Sequence, residues 1–264
     1  INMHPSDPAE KLDGIYFSPH KFLGGPGSSG VLIFDRHLYK GHRPPDQPGG
    51  GTVDWTNPWG EYKYIDDIEA REDGGTPGFL QAIRAALAIE LKNNMGAENI
   101  RKREKQLLDK TFEELDKIQG LHLLATDNRE RLGIISFYIK DIHFNLVVKL
   151  LNDKFGIQVR GGCACAGTYG HYLLDVSYEK SHLITSLISS GDLSQKPGWI
   201  RLSLHPTMTD SELAYILEAI KEVRNNHKKW SDDYIYNRQT NEFRHKNDPE
   251  DKTEYVRNWF ELEN

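Results

Sequence analysis

The chain has only two cysteines in 264 residues. They stand one residue apart, as Cys163 and Cys165. That spacing disfavours a mutual disulfide, and no third cysteine exists to pair with either. A disulfide-stapled secreted scaffold is excluded, and a reducing, cytoplasmic setting is expected. No apolar run approaches the ~18 residues a membrane span needs, so no membrane partner is expected. No basic stripe relieves the net charge of −6, so no nucleic-acid partner is expected either. Internal repeats and low-complexity tracts are absent. The start, Ile1-Asn2-Met3-His4-Pro5, has neither an initiator methionine nor a basic and apolar signal pattern. It reads as a chain entered midway, and the expectation is a fragment of a longer protein.

What remains is a globular composition. Hydrophobic residues make up 38% and charged residues 27%, enough for a packed core in one large domain or two ordinary ones. The most distinctive stretch runs from Ser18 through His20 and Lys21 to Gly24-Gly25-Pro26-Gly27 and Gly30. It joins two short apolar segments, 14–17 and 31–34, that read as buried strands. Lys21 thus sits in a glycine-rich loop at a sheet edge. Two readings stand: a surface lysine in a hairpin loop, or an amine desolvated for Schiff-base chemistry.

A long irregular stretch, 41–75, contains Pro48-Gly49-Gly50-Gly51-Thr52. The glycine triplet is either a flexible turn or a place where backbone approaches a ligand closely. Thr76 is expected to cap a helix with Pro77 at its first position. That helix carries Phe79, Leu80, Ile83, Leu87 and Leu91 inward and stops near Gly96. A second amphipathic helix follows over about 98–118. Strands are expected at 121–125, 133–139, 156–160 and 199–204, with helices at 143–155 and 181–188. Thr209-Asp210-Ser211-Glu212 has capping-box spacing and opens a helix to about Asn225. These elements place a small α/β domain at 97–229, after a first domain at 1–96. Residues 230–264 are charged and aromatic, with Trp230, Tyr234, Tyr236, Phe243, Trp259 and Phe260, and read as a packed arm or a docking tail.

Arg160-Gly161-Gly162-Cys163-Ala164-Cys165-Ala166-Gly167 brings an arginine and two thiols, flanked by small residues, into one loop. Arg160 favours a thiolate there, and a thiolate is the nucleophile of sulfur transfer. The rival readings are a metal site with His171 as third ligand, for which C-x-C alone is a weak signal, and an inert buried pair. Arg201 lies within the apolar strand 199–204, where a charge is costly unless paired. Its partner is either a substrate carboxylate, held bidentately, or a protein acid.

Ser18-x-His20-Lys21, the glycines before Thr52, Arg71-x-x-x-Gly75-Thr76-Pro77, Arg160-x-Gly162-x-x-Cys165 and Arg201 occur in the order found in class V aminotransferase-fold enzymes. Over about residues 1–225 the chain most resembles the cysteine desulfurase and selenocysteine lyase branch. The resemblance implies a pyridoxal phosphate (PLP) enzyme of fold type I, α/β, with an incomplete large domain followed by the small α/β domain. It implies Lys21 as the lysine joined to PLP, and Ser18 and His20 at the cofactor phosphate. Gly51 and Thr52 resemble the element that reaches the phosphate of the partner subunit, which implies a homodimer with shared sites. Arg201 is similar to the arginine that grips the substrate α-carboxylate, Arg160 to its helper, and Cys165 falls at the persulfide-forming position.

The implied reaction turns L-cysteine into L-alanine and an enzyme persulfide, with an amino-acid substrate, a sulfur acceptor protein and no resident metal. Desulfurases of this branch usually carry histidines where this chain has Cys163 and Ala164. The family's ring-stacking histidine, its aspartate at the pyridine nitrogen and part of its phosphate loop would precede Ile1. Another class V aminotransferase or lyase, with both cysteines as bystanders, and a cofactor-free scaffold domain are the alternatives.

Overall fold

A computed structural model describes residues 2–3, 5–163, 165–248 and 253–260. Ile1, His4, Ala164 and parts of the tail (249–252 and 261–264) lie outside the described residues. The chain divides into two units, residues 1–99 and 100–264.

In the first unit, strands β1 (Gly14–Phe17) and β2 (Val31–Phe34) pair antiparallel, Phe17 opposite Val31. The lysine stretch is therefore the loop of a β-hairpin. These strands were expected to be buried, yet Tyr16 is 84% and Leu32 65% exposed. The span 41–75 is not wholly irregular. It holds a second hairpin of β3 (Val53–Thr56) and β4 (Tyr62–Tyr64), bulged between Val53 and Trp55. Helix α1 (Ile68–Glu72) follows, opened by Asp67, whose carboxylate accepts from the Ala70 amide at 2.8 Å.

Helix α2 (Phe79–Met95) starts later than Thr76 and Pro77 suggest, with Gly78 at the N-cap. Gly78 adopts φ −76°, ψ 65°, the inverse γ-turn conformation, which lies outside the helical region. The expected inward face of α2 is also corrected. Phe79, Leu80, Ile83 and Leu87 are each more than half exposed, whereas Ala85 and Ala88 are buried. The first unit consists of two small hairpins and short turns, and none of these covers the large side chains of α2.

The second unit builds a complete core. Helix α3 (Ala97–Leu115) leads to β5 (Leu121–Leu123), β6 (Ile134–Ile139) and α4 (Phe144–Phe155). Then come β7 (Arg160–Gly162), α5 (Gly167–Leu173), α6 (Tyr178–Ser189), β8 (Trp199–Ser203) and α7 (Asp210–Ser231). The four strands form one antiparallel sheet in the order β5-β6-β8-β7. Alternation in β6 sends Ile135, Phe137 and Ile139 to one face, where cross-strand Ile200 and Leu202 join them. Helices α3, α4 and α7 cover that face with Leu115, Leu150 and Ile220, all fully buried. Each such side chain contributes roughly 1.5–3 kcal/mol.

The cysteine-loop strand occupies 160–162 rather than 156–160, because Gly156, left-handed at φ 67°, caps α4 and turns the chain. Helix α7 opens on the expected capping box at Thr209 and Glu212 but runs on to Ser231, past Asn225. Its extra turns bury His227. Part of the tail is a hairpin, β9 (Tyr234–Asn237) with β10 (Glu242–His245), and β10 packs on α4. A short exposed helix, α8 (Thr253–Asn258), lies near the end.

Candidate active site

In the first unit, Ser18 is extended and precedes a tight turn of Pro19-His20-Lys21, closed by Phe22 N–H to Pro19 O at 2.9 Å. Gly25 folds back onto this turn. A Cβ at Gly25 would lie 1.9 Å from the Pro19 carbonyl oxygen, so only glycine allows the approach. Phe17 and Phe22 stack at 6.0 Å and anchor both ends of the turn. Three polar side chains are left uncommitted. Ser18 makes no capping bond, His20 and Lys21 are exposed, and no acid among the described residues pairs with Lys21. In the same loop, the buried hydroxyl of Ser28 lacks a hydrogen-bond partner.

The glycine loop is closed differently. Thr52 is fully buried, and its hydroxyl donates to Gly49 O at 2.7 Å. Gly51 stands at φ +87° with open space where a Cβ would be. At this turn it is therefore the Gly51 backbone, not the Thr52 hydroxyl, that is offered outward. Gly75 N–H donates to Gly50 O at 2.8 Å, tying the triplet to the Gly74-Gly75 turn. Arg71 clamps the whole region. It is buried, and its Nη2 donates to Gly41 O at 2.8 Å and Arg43 O at 2.6 Å. Its guanidinium also lies 5.0 Å over the Tyr64 ring. Sequence reasoning had Arg71 only as a motif letter, because its carbonyl partners lie about thirty residues away and carry no side-chain signature.

In the second unit, the cysteine loop leaves the sheet edge at β7. A Cβ at Gly161 would lie 2.7 Å from Asn145 Oδ1, and one at Gly198 2.6 Å from the Phe144 ring. The two glycines thus let α4 press against the strand that carries Arg160. The thiols differ. Cys165 is exposed, left-handed at φ 63°, and its Sγ accepts from Arg160 Nη2 at 3.1 Å. Cys163 is half-buried and donates to Pro197 O at 2.9 Å. Burial pushes its thiol up from the ordinary value, against a smaller opposing effect of Lys196. The exposed sulfur beside a cation is therefore Cys165. His171 is occupied elsewhere, with Nδ1 at 2.9 Å from Gly167 O and Nε2 at 2.9 Å from Ser181 Oγ.

Arg160 and Arg201 are directly opposite one another in the β7–β8 register. Like charges in that position repel. No acid among the described residues forms an ion pair with either, and Arg201 Nε is buried without a partner. An anion between them would remove the repulsion and supply the missing acceptor. The donor set suits the implied cofactor as well. A hydroxyl and an imidazole beside a lone amine match a phosphate and an aldehyde, and the left-over donors on the two arginines match a carboxylate.

This chain belongs to the class-V aminotransferase family, which it matches over residues 5–216; that family uses PLP. It is 35% identical over 153 residues to a probable cysteine desulfurase of Staphylococcus epidermidis, covering 57% of this chain and 35% of that protein. A probable cysteine desulfurase of Staphylococcus aureus is 32% identical over 150 residues, again 57% of this chain and 35% of the other. Among solved structures, it is similar to the apo cysteine desulfurase of Thermococcus onnurineus, with TM-score 0.63 and 26% identity over 81% of this chain and 47% of that one. A cysteine desulfurase of Escherichia coli shares the fold at TM-score 0.60 and 21% identity, over 81% of this chain and 46% of the other. The α/β fold is thus that of the PLP-dependent desulfurases. The chain spans less than half the length of these proteins.

Proposed function

We propose that the chain contributes to a PLP-dependent cysteine desulfurase, acting on L-cysteine or a close analogue to give alanine and a persulfide on Cys165. The observation that carries this reading is the set of Arg160, Arg201 and Cys165: two unneutralised arginines face each other at the strand pair, and one of them reaches the exposed sulfur at 3.1 Å. In this reading Arg201, with Arg160 as helper, takes the substrate α-carboxylate in a charge-assisted bond. Ser18 and His20 hold the cofactor phosphate, and Lys21 holds the cofactor and carries protons to and from the substrate carbon. The exposed Gly51 backbone, with Thr52 fixing the turn, serves the phosphate in a homodimeric partner.

PLP supplies an electron sink at the substrate α-carbon. Cys165 attacks the substrate sulfur; a sulfur–sulfur bond forms as the carbon–sulfur bond breaks, and its electron pair returns to the carbon skeleton. Proton uptake there completes alanine. Cys163, protonated and turned toward Pro197, takes no part.

The test is to add PLP to the purified protein and follow the visible spectrum before and after borohydride. A reducible absorption that Lys21→Ala removes is the expected result. A reducible absorption that is unchanged in Lys21→Ala overturns the assignment of Lys21.

A further inference from the structure

Strand β7 is the edge of its sheet: it pairs with β8 on one side, and among the described residues no strand lies on the other. Along that edge runs an open cleft of about 1280 Å³, above the ~300–1,000 Å³ usual for a small-molecule pocket. Gln158 to Gly162 and both cysteines form one side, α4 contributes Asn145 and Val148, and the β9–β10 hairpin contributes 240–244. The hairpin is pinned in place. Asn145 Nδ2 donates to Asn241 O, and Tyr236 OH donates to Asn241 Oδ1 at 2.7 Å. His143 lies 5.2 Å from the Tyr236 ring and 5.3 Å from that of Phe243. This wall lies beyond the family match, which stops at 216, so it is a feature the family resemblance does not account for.

A free strand edge is a template for another extended chain. Along that edge, Gly162 has open space where a Cβ would be, whereas at Gly161 the side chains of α4 close in. The charges lining the cleft are uneven. Lys149 is neutralised by Asp153 and Asp248, whereas Lys196, the charge acting on Cys163, and Arg160 have no acid partner among the described residues. An occupant with acidic residues beside a thiol complements that end.

We propose that the groove between β7 and the β9–β10 hairpin takes an extended, cysteine-bearing segment of a partner protein, acidic around its cysteine, as an added strand that delivers a thiol to Cys165. The transfer step rests on the desulfurase reading, and the docking does not. In the transfer, the partner's thiolate attacks the outer sulfur of the Cys165 persulfide. The old sulfur–sulfur bond breaks, its electron pair passes to Cys165 Sγ beside Arg160, and the partner leaves as the persulfide. No outside oxidant or reductant is needed.

The test uses Cys163→Ser protein, in which Cys165 is the sole thiol. It is mixed with a pool of peptides of about ten residues, a full strand's length, that carry a central Asp-Cys-Asp activated as a mixed disulfide. Mass spectrometry follows covalent capture on Cys165. Strand addition predicts capture at least about tenfold faster than of equally activated N-acetylcysteine amide, and loss of that advantage when alternate peptide amides are N-methylated. Lys196→Glu slows capture of the acidic pool several-fold. Equal rates for the peptides, their N-methylated forms and the small thiol overturn the proposal, as does activated glutathione reacting as fast as the peptides. As a second readout, Cys165→Ser protein with the unactivated pool shows slowed amide exchange at 158–162; unchanged exchange there also counts against it. Selective capture by a protein whose alanine formation from cysteine is undiminished in Cys165→Ala leaves the docking groove standing and removes the persulfide step.

Discussion

Helix α4 buries Val147, Leu150 and Leu151 completely, whereas α2 leaves Phe79, Leu80, Ile83 and Leu87 more than half exposed. Helix α4 is strongly amphipathic and α2 only weakly so, and the two also differ in what surrounds them. The second unit sets a four-stranded sheet and two further helices against α4, and side-chain burial organises it. The first unit holds its shape through hairpin pairing, glycine approaches and the buried Arg71. One region therefore derives its stability from apolar contacts, the other from satisfied backbone carbonyls. Each carries its part of the candidate chemistry accordingly: Lys21 on a turn fixed by Gly25, and Arg160, the partner of Cys165, on a strand of the packed sheet.

The comparison breaks most directly at Phe137, fully buried in β6. Phe137→Ala is expected to cost the second unit about 3–5 kcal/mol in denaturant unfolding; a loss below about 1 kcal/mol would mean its core is not what holds it. Arg71→Ala comes next. It strands the carbonyls of Gly41 and Arg43 and is expected to destabilise the first unit by about 1–3 kcal/mol, seen as faster amide exchange over 41–75 with the second unit unchanged.

A smaller effect is expected from pH. Burial lowers the pKa of His143 from 6.5, against a smaller opposing effect of Asn241, and leaves its Nε2 buried without a hydrogen-bond partner. A depressed folded value means protonation favours the unfolded chain. The contribution is present above pH 6.5 and is lost as pH falls through the folded value. Acidification from 7.5 to 5 should lower the unfolding midpoint of wild type more than that of His143→Gln; parallel curves would contradict the burial of this ring against Tyr236 and Phe243. Smallest of all is Leu87→Ser, expected within about ±0.5 kcal/mol because Leu87 is already exposed. A cost approaching that of Phe137→Ala would show that α2 is covered in solution.

Local signals were legible before any coordinates. The Thr209 to Glu212 capping box marks the start of α7, and alternation in 133–139 marks β6, because both depend on residues within a few positions. The lysine turn was legible as a loop between strands for the same reason. The face of α2 was not: a helical apolar stripe has one periodicity whether or not a partner covers it. The helix start was misplaced too: the cap is Gly78, without a side-chain bond, rather than the expected Thr76. The Arg71 clamp and the hairpin wall of the cysteine groove depend on contacts between distant segments. The order of motifs singled out Lys21 in the first unit and Arg160, Cys165 and Arg201 in the second as candidates, but only the register shows the two arginines opposed, and only burial separates Cys163 from Cys165.

The most direct measurement is alanine formed from L-cysteine in the presence of PLP by the wild type, Cys163→Ala and Cys165→Ala proteins side by side. The account predicts that Cys165→Ala abolishes alanine formation while Cys163→Ala retains it. Undiminished turnover in Cys165→Ala would contradict the role given to that sulfur and to the arginine beside it.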